Sequence, residues 1–202
     1  MRRYIASVAL TLLLLPFALA QQRGKVLMIV NEGTSEDLEL MLTKEVGVMK
    51  NLLQKAGYQV VVATASGNPL AAGSAKVMPD LKLSQAKAAD YAGFIMPCMA
   101  TSASALPPEG NAIVKEAVAS NKPFAAQTGS VVLLFHAGVL AGKKYALAKG
   151  WAALEGAIYS GDGIVQDGNI ITSGVCPRMA KMAGMKDGTA RLTETLIAEL
   201  NK

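Results

Sequence analysis

Histidine, cysteine and aromatic residues are scarce in this chain of 202 residues. It contains one histidine and two cysteines, and only 5% of its residues are aromatic. The cysteines and the histidine show no zinc-ligand spacing, and two cysteines are too few to hold a fold together. The lysines are scattered and form no basic stripe interleaved with aromatic side chains. We therefore expect a hydrophobic core to provide the stability, and we expect no nucleic-acid partner.

The N-terminal segment has the three parts of a cleavable secretory signal peptide. Arg2 and Arg3 provide a positive start, an apolar run extends over residues 8–19, and small residues precede Gln21. The alternative is an uncleaved anchor, but the apolar run is shorter than the about 20 residues that span a bilayer. We predict a signal peptide at residues 1–20, export to the periplasm or out of the cell, and no stable membrane anchor after cleavage.

Residues 21–202 have the length and composition of one globular domain. Hydrophobic residues make up 51% of the chain, and charged residues 17%. Cleavage would remove two of the 20 Lys and Arg residues and none of the 15 Asp and Glu residues, which leaves a mild excess of 18 over 15. The region has no internal repeat and no linker, so we predict a single domain.

Short apolar runs alternate with helical stretches along the chain. Residues 25–30 and 58–65 are apolar without alternation, which is typical of parallel strands buried on both faces. Between them, apolar residues over 36–56 recur at spacings of three and four, which predicts a helix. A further strand at 123–127 and a final helix at 189–200 continue the pattern. The order predicts an α/β fold with helices on both faces of a mostly parallel central sheet.

Five segments, taken in order, resemble the DJ-1/PfpI (ThiJ/PfpI) family, and they cover nearly the whole of residues 21–202. They are SEDLEL at 35–40, KAGYQV at 55–60, ADYAGFIMP at 89–97, KPFAAQTGS at 122–130 and VQDGNIITS at 165–173. The resemblance implies a flavodoxin-like three-layer sandwich, with a pocket at the carboxyl ends of the strands. It also implies a homodimer.

The residues that would carry the family's chemistry differ in this sequence. The resemblance implies a cysteine at the nucleophile elbow, the turn between a strand and the following helix, with a glutamate beside it. Glu36 matches the glutamate, but we place Gln127 at the elbow, and a carboxamide is not a nucleophile. The only histidine, His136, lies in an apolar helical stretch, where we expect a core or interface residue. The sequence therefore predicts that the usual elbow-cysteine chemistry is absent.

Several loop residues should still border one pocket. Glu36 and Gln127 either hold a small polar ligand or hydrogen-bond each other, and both interpretations stay open. Cys98 stands where the family has the first glycine of a Pro-Gly-Gly loop, whose amides face the reacting oxyanion in active relatives. Cys176 follows the last strand. The pocket implied by the resemblance is lined by Glu36, Cys98, Met99, Gln127, Thr128 and Cys176.

The two cysteines allow three interpretations. Cys98 and Cys176 form a disulfide, as an oxidising compartment favours, or they are two unreactive thiols. The third interpretation is a functional pair, which is either a redox site or a pocket in which Cys98 is a relocated nucleophile.

Sulfur also recurs after the last strand, at Cys176, Met179, Met182 and Met185. This spacing of three residues would place soft ligands for Cu(I) along one helical face. Because no histidine is nearby, methionines that pack into a core or a dimer face are the favoured interpretation. We predict no bound metal and no cofactor, since no P-loop and no Gly-x-Gly-x-x-Gly follows a strand.

Two hypotheses on function follow from these residues. The first is an exported DJ-1/PfpI-like pseudoenzyme that binds a small polar ligand or acts in stress protection through the remnant pocket. The second is a thiol-dependent hydrolase, or an enzyme acting on reactive carbonyls, that uses Cys98. A nucleophilic Cys98 would alkylate quickly near neutral pH, whereas a buried or bonded thiol would not.

Overall fold

The computed structural model describes residues 23–32, 37–100, 105–151 and 153–202. Within these residues, seven strands form one central sheet and four strands form two separate two-stranded sheets. The strands are β1 (Lys25–Ile29), β2 (Gln59–Thr64), β3 (Leu70–Ala72), β4 (Ala75–Val77), β5 (Leu81–Lys82), β6 (Gly93–Met96), β7 (Phe124–Gln127), β8 (Lys144–Tyr145), β9 (Ile158–Tyr159), β10 (Ile164–Asp167) and β11 (Ile170–Ser173).

Helices connect most of the sheet strands. They are α1 (Leu38–Met41), α2 (Gly47–Lys55), α3 (Pro108–Ala119), α4 (Gly129–His136), α5 (Pro177–Ala183) and α6 (Thr189–Leu200). A π-helical turn, Leu42–Val46, joins α1 to α2, and two short 3₁₀ helices, Leu83–Gln85 and Ala88–Asp90, precede β6. No helix in the described ranges combines the length and apolar character needed to cross a membrane.

The central sheet has the strand order β10-β11-β7-β6-β1-β2-β5. All neighbouring pairs are parallel except β10 with β11. Its inner five strands, read as β2-β1-β6-β7-β11, have the 2-1-3-4-5 order of flavodoxin-like folds. The predicted α/β fold class with a mostly parallel sheet is therefore confirmed.

Both faces of the sheet are covered, which explains why the strands are apolar without alternation. Along β1, Leu27 and Ile29 point into one hydrophobic cluster, and Val26 and Met28 into the other. The first cluster contains residues of α3 and α4, and the second contains residues of α2 and α6. These are the three layers that the sequence predicts.

Candidate functional site

The carboxyl ends of neighbouring parallel strands place three loops side by side. In the sheet, β7 lies between β6 and β11. Cys98 lies in the segment that follows β6, Thr128 in the segment that follows β7, and Cys176 in the segment that follows β11. They meet at a cavity of about 200 Å³, which we call the sulfur cavity. It is lined by Cys98, Ala100, Thr128, Gly129, Trp151, Cys176, Arg178, Met179 and Met182.

The two cysteines contact each other in this cavity. Both are free and buried, with 5% of Cys98 and 1% of Cys176 exposed. Their side chains are hydrogen-bonded to each other. The structure thus brings together the two thiols that the sequence placed in separate loops, and a disulfide between them stays one of the three interpretations that the sequence allows.

The surroundings of the two sulfurs are unequal. The hydrogen bond from Cys98 is the largest cause that lowers the pKa of Cys176, to about 6. The backbone N–H groups of Met179 and Arg178 and the hydroxyl of Thr128 lower this pKa further, against the opposing effect of burial. The same thiol contact, together with burial, raises the pKa of Cys98 well above its ordinary value. Cys176 is therefore the thiolate of the pair, and Cys98 is the thiol that donates to it.

The sharp turn between β7 and α4 is at Thr128. This residue has φ 44° and ψ −103°, a conformation that non-glycine residues rarely adopt. A strained strand-to-helix turn is the geometry of a nucleophile elbow. The sequence analysis placed the elbow at Gln127, whereas the geometry places it one residue later. The Thr128 hydroxyl has one proton and two acceptors, the Gly174 carbonyl oxygen at 3.1 Å and the Cys176 sulfur.

Gln127 ends β7 and does not line the sulfur cavity. Its Nε2 donates to the carbonyl oxygen of Val175 at 2.7 Å, and its Oε1 accepts from the hydroxyl of Thr189 at 3.2 Å. The carboxamide therefore anchors the residue that precedes Cys176. Glu36, its expected partner, lies outside the described residues.

An acidic side chain that the sequence analysis missed lies beneath the Cys98 loop. Glu45 is fully buried, and its carboxyl oxygens accept the backbone N–H groups of Cys98 at 2.9 Å and Met99 at 3.0 Å. Burial raises the pKa of Glu45 well above its usual value, and the nearby Cys176 adds to the rise. Glu45 belongs to the π-helical turn, a feature often found at functional sites.

The sequence did carry a signal for Glu45. The helix buries Met41 and Met49, which lie four residues before and after Glu45. Residues four apart share one helical face, so Glu45 interrupts the apolar stripe with a carboxyl group. An acid at such a position must find buried partners, and here they are two backbone amides.

The loop after β6 has an unusual backbone. Met99 and Ala100 have φ values of 56° and 51°, in the left-handed region. Met99 is fully buried among the residues of the second cluster and does not line the sulfur cavity. Because the amides of Cys98 and Met99 bond to Glu45, they are not free to bind an oxyanion in the cavity.

Opposite Glu45, α4 fixes the same loop. The Ser130 hydroxyl donates to the carbonyl oxygen of Pro97 at 2.7 Å, and the backbone N–H of Gly129 lies 3.4 Å from the Cys98 sulfur. Cys98 is therefore held between two elements, which fixes the direction of its thiol toward Cys176.

The methionines after Cys176 are divided between two regions. Met179 and Met182 lie on α5 and line the sulfur cavity, with Met182 66% exposed. Helix α5 ends before Gly184, which has a left-handed conformation, so Met185 leaves the helical face and lines a different cavity. The expectation of one face for all three methionines is therefore wrong for Met185.

His136 lies away from the sulfur pair. It is the last residue of α4, is exposed, and packs against the ring of Phe135 with centroids 5.4 Å apart. It does not line the sulfur cavity, and it is not a core residue in this chain. No imidazole base adjoins either thiol in the described part of the chain.

The profile of the DJ-1/PfpI family matches residues 24–184. The chain belongs to the DJ-1/PfpI family. A search of curated protein sequences found no match.

Solved DJ-1/PfpI structures share the fold at low sequence identity. A ThiJ/PfpI domain protein from Brachyspira murdochii superposes with a TM-score of 0.67 at 17% identity, over 88% of this chain and 96% of that one. Drosophila melanogaster DJ-1beta gives 0.63 at 22% identity, over 88% and 97%. Oxidised Toxoplasma gondii DJ-1 gives 0.58 at 19% identity, over 88% and 98%. In the chain described here, the two thiols follow β6 and β11, and a threonine occupies the turn after β7.

Proposed function

We propose that this DJ-1/PfpI protein is an exported, thiol-based stress-protection protein that reduces small hydroperoxides. The observation that carries the proposal is the convergence of Cys98 and Cys176 on one cavity, where the Cys98 side chain is the largest cause of the lowered pKa of Cys176. A nucleophilic thiolate with a second thiol beside it is the arrangement that converts a hydroperoxide into an alcohol and stores the two electrons as a disulfide.

The chemistry takes two steps. The Cys176 thiolate attacks the terminal oxygen of the hydroperoxide, a sulfur–oxygen bond forms, the oxygen–oxygen bond breaks, and the alkoxide takes up a proton. The Cys98 sulfur then attacks the Cys176 sulfenic acid, the disulfide forms, and the Cys98 proton leaves with the hydroxyl group as water. A dithiol reductant returns the pair to its starting state by thiol–disulfide exchange.

The surroundings support Cys176 as the attacking group. Two backbone N–H groups besides the Cys98 thiol face its sulfur, those of Arg178 and Met179, and the Thr128 hydroxyl is shared between this sulfur and the Gly174 carbonyl oxygen. Donors stabilise the thiolate, and because Cys176 lines the sulfur cavity, the cavity is the side from which a small reactant would reach this buried sulfur. Cys98, which the sequence analysis considered as a relocated nucleophile, is better suited to the second step because it is the proton donor of the pair.

Acyl transfer is the weaker alternative for this pocket. A hydrolase needs donors for the developing oxyanion, and the two amides best placed in the loop are bonded to Glu45. It also needs a base for the nucleophile and an acid for the leaving group, and His136 does not line the cavity. Reduction of a hydroperoxide needs neither an oxyanion hole nor an imidazole.

The test is oxidation of the reduced protein with one equivalent of hydrogen peroxide, followed by denaturation, alkylation and intact-mass measurement. We expect that neither cysteine of the oxidised wild-type protein is alkylated. Its mass should be lower than that of the reduced protein by two hydrogen atoms, because a disulfide has formed. Cys98→Ser should stop at a sulfenic acid on Cys176 that dimedone traps, and Cys176→Ser should leave Cys98 reduced. If Cys98 is oxidised in Cys176→Ser as fast as the pair is in the wild type, the proposal fails.

Export is part of the proposal and is supported by the pattern of residues 1–20, which lie outside the described residues. Expression in a bacterium followed by fractionation should recover a protein that begins near Gln21 outside the cytoplasm. Recovery of the intact chain, starting at Met1, in the cytoplasm would contradict export.

We also propose a homodimer, on the family resemblance. Three large apolar side chains, Trp151, Ile158 and Tyr159, are between 43% and 50% exposed in the isolated chain. Light scattering of the purified protein should give twice the mass of the chain, and a monomeric mass would contradict a dimer.

A further inference from the structure

The sulfur cavity contains more sulfur than a dithiol needs. Four of its lining residues carry this element, Cys98, Cys176, Met179 and Met182. They come from two separate parts of the chain, the loop after β6 and the segment that contains Cys176 and the α5 helix that follows it. Methionines that serve only as core filling would be enclosed, but Met182 is 66% exposed at this cavity.

We propose that the sulfur cavity is a Cu(I) site, in which the thiolates of Cys98 and Cys176 and the thioether of Met179 are the ligands. Thiolate and thioether sulfur are the soft donors that select Cu(I) over harder ions. On binding, the remaining S–H proton of the pair is released and its place between the two sulfurs is taken by the metal. The exposed Met182 thioether lies where an incoming ion first meets the site.

The described residues do not offer an alternative ligand set for a harder ion. They include no cluster of three or more His, Cys, Asp or Glu side chains placed to bind a metal. Zinc would require such nitrogen, oxygen or additional thiolate ligands in a tetrahedral set. The composition of this cavity therefore favours a monovalent soft ion.

The proposed ligands come from two sides of the sulfur cavity. Cys176 is the residue before α5, and Met179 and Met182 follow at three-residue intervals, which places them on one helical face. Cys98 is fixed from the opposite side by Gly129 and Glu45, as described above. The site is therefore built from two independently anchored elements, which gives the geometric definition that a specific metal site requires.

The positively charged side chains near the sulfur cavity form ion pairs with a carboxylate. Arg178 and Lys181 of α5 both pair with Asp37, at 3.2 Å and 2.8 Å. Their charges are thus compensated by a carboxylate, which lessens their repulsion of a bound cation.

This inference goes beyond the proposed thiol chemistry, because it depends on the thioether of Met179, which peroxide reduction does not use. The two functions cannot operate at the same moment, since cysteines that are bound to a metal cannot form a disulfide with each other. Met179→Leu keeps the backbone N–H that faces Cys176 and removes only the thioether, so it should weaken Cu(I) binding far more than it slows the peroxide-driven loss of both thiols. Failure of one proposal is in this way distinguishable from failure of the other.

The experiment is an anaerobic competition for Cu(I) between the reduced protein and the chromogenic chelator bicinchoninate. We expect the wild-type protein to withdraw one equivalent of Cu(I) from the coloured complex. Met179→Leu should weaken the affinity at least as much as the about 10- to 100-fold that loss of an outer-shell partner costs. Cys98→Ser and Cys176→Ser should weaken it more, since each removes a thiolate.

Met185→Leu is the matched control, because Met185 is close in sequence but lines a different cavity. It should bind Cu(I) as the wild type does. Titration with Ag(I), an air-stable soft probe, adds a second readout, because the only tryptophan in the chain, Trp151, lines the sulfur cavity. Its fluorescence should change up to one equivalent and then remain constant.

Three results would overturn the proposal. One is failure of the folded, reduced protein to withdraw Cu(I) from the chelator. Another is equal affinity of Met179→Leu and Met185→Leu. The third is a stoichiometric Ag(I) response that persists in a Cys98→Ser, Cys176→Ser double variant. Far-ultraviolet circular dichroism of each variant establishes that it is folded before its affinity is compared.

Discussion

The Cys98 thiol donates a hydrogen bond to the Cys176 sulfur, and this contact joins the loop after β6 to the residue that precedes α5. The bond makes the two cysteines chemically different. Cys176 gains a donor and a lower pKa, while Cys98 retains its proton. The reactivity of the pair therefore depends on this difference and on the residues that hold the two cysteines in place.

The first prediction concerns the pH dependence of alkylation at Cys176. In the wild type, the rate should rise as the pH passes about 6 and then level off, because only the thiolate reacts. Cys98→Ala removes the largest cause of the lowered pKa, so the profile should move toward the ordinary value of 9.0. At pH 7, the rate should then fall by about 3- to 6-fold, because the loss of thiolate outweighs the higher nucleophilicity of the more basic sulfur.

Cys98→Ser is the control for this prediction, because its hydroxyl can still donate. Its profile should lie between those of the wild type and Cys98→Ala. Stopped-flow or time-resolved mass measurements with iodoacetamide give the rates. Identical profiles for Cys98→Ala and the wild type would show that the Cys98 thiol does not set the acidity of Cys176.

The second prediction tests the hydroxyl group at the elbow. Thr128→Val keeps the branched shape of the side chain and removes the donor that faces Cys176 and the Gly174 carbonyl. The alkylation profile of Cys176 should shift to higher pH, by less than in Cys98→Ala. Thr128→Ser retains the hydroxyl and should match the wild type. The opposite order of these two variants would contradict the assigned role.

The third prediction concerns Gln127 as a positioning residue. Gln127→Met is similar in length but leaves the Val175 carbonyl oxygen and the Thr189 hydroxyl without their buried amide partner. The free energy of unfolding should fall by about 1–3 kcal/mol, and Cys176 should lose its selective reactivity because its loop is no longer anchored.

Gln54→Met is the matched control, since Gln54 is exposed on α2. It should change neither the stability nor the alkylation rate measurably. Chemical denaturation and alkylation kinetics on the same samples provide both readouts. Loss of stability with unchanged reactivity in Gln127→Met would assign Gln127 to the fold alone.

The fourth prediction concerns the buried carboxyl group of Glu45. Glu45→Gln offers one acceptor oxygen where two amides, those of Cys98 and Met99, require partners. The variant should be less stable by about 1–3 kcal/mol. The exposed Glu116→Gln on α3 should have no comparable effect.

The difference between wild type and Glu45→Gln should depend on pH. The pKa of Glu45 is higher in the folded than in the unfolded chain, so its contribution to stability is full below the ordinary value of 4.5 and is lost as the pH rises through the folded-state pKa. The variant does not titrate at this position. The stability difference should therefore shrink as the pH increases, and a difference that grows would contradict a raised pKa.

The fold could be predicted from the sequence because the pattern repeats over many residues. The apolar run over 25–30 became β1, and the stretch over 189–200 became α6 with the same bounds. Strand order could not be read from periodicity, and the resemblance implied only a flavodoxin-like sheet. The π-helical turn at Leu42–Val46 was missed, because a single extra residue in a helix barely changes the spacing of its apolar side chains.

The site was predicted only in part, because its chemistry depends on distances of a few ångströms. The sequence placed Cys98 and Cys176 at one pocket, and the structure brings them into contact. It placed the elbow at Gln127, because a one-residue shift in a strand-to-helix turn leaves no trace in composition. The difference in acidity between the two thiols also could not be predicted, since its largest cause is the contact between Cys98 and Cys176, and the Thr128 hydroxyl adds to it from a third part of the chain.

The most direct measurement of the central claim is the site of alkylation in the native, reduced protein at pH 7. A limiting amount of iodoacetamide, followed by denaturation, blocking of the remaining thiol with a second reagent and peptide mapping, identifies which sulfur reacts first. We predict that the first label is on Cys176 and that Cys98 is blocked only after unfolding. A first label on Cys98, or no label on either cysteine until the protein unfolds, would contradict the account.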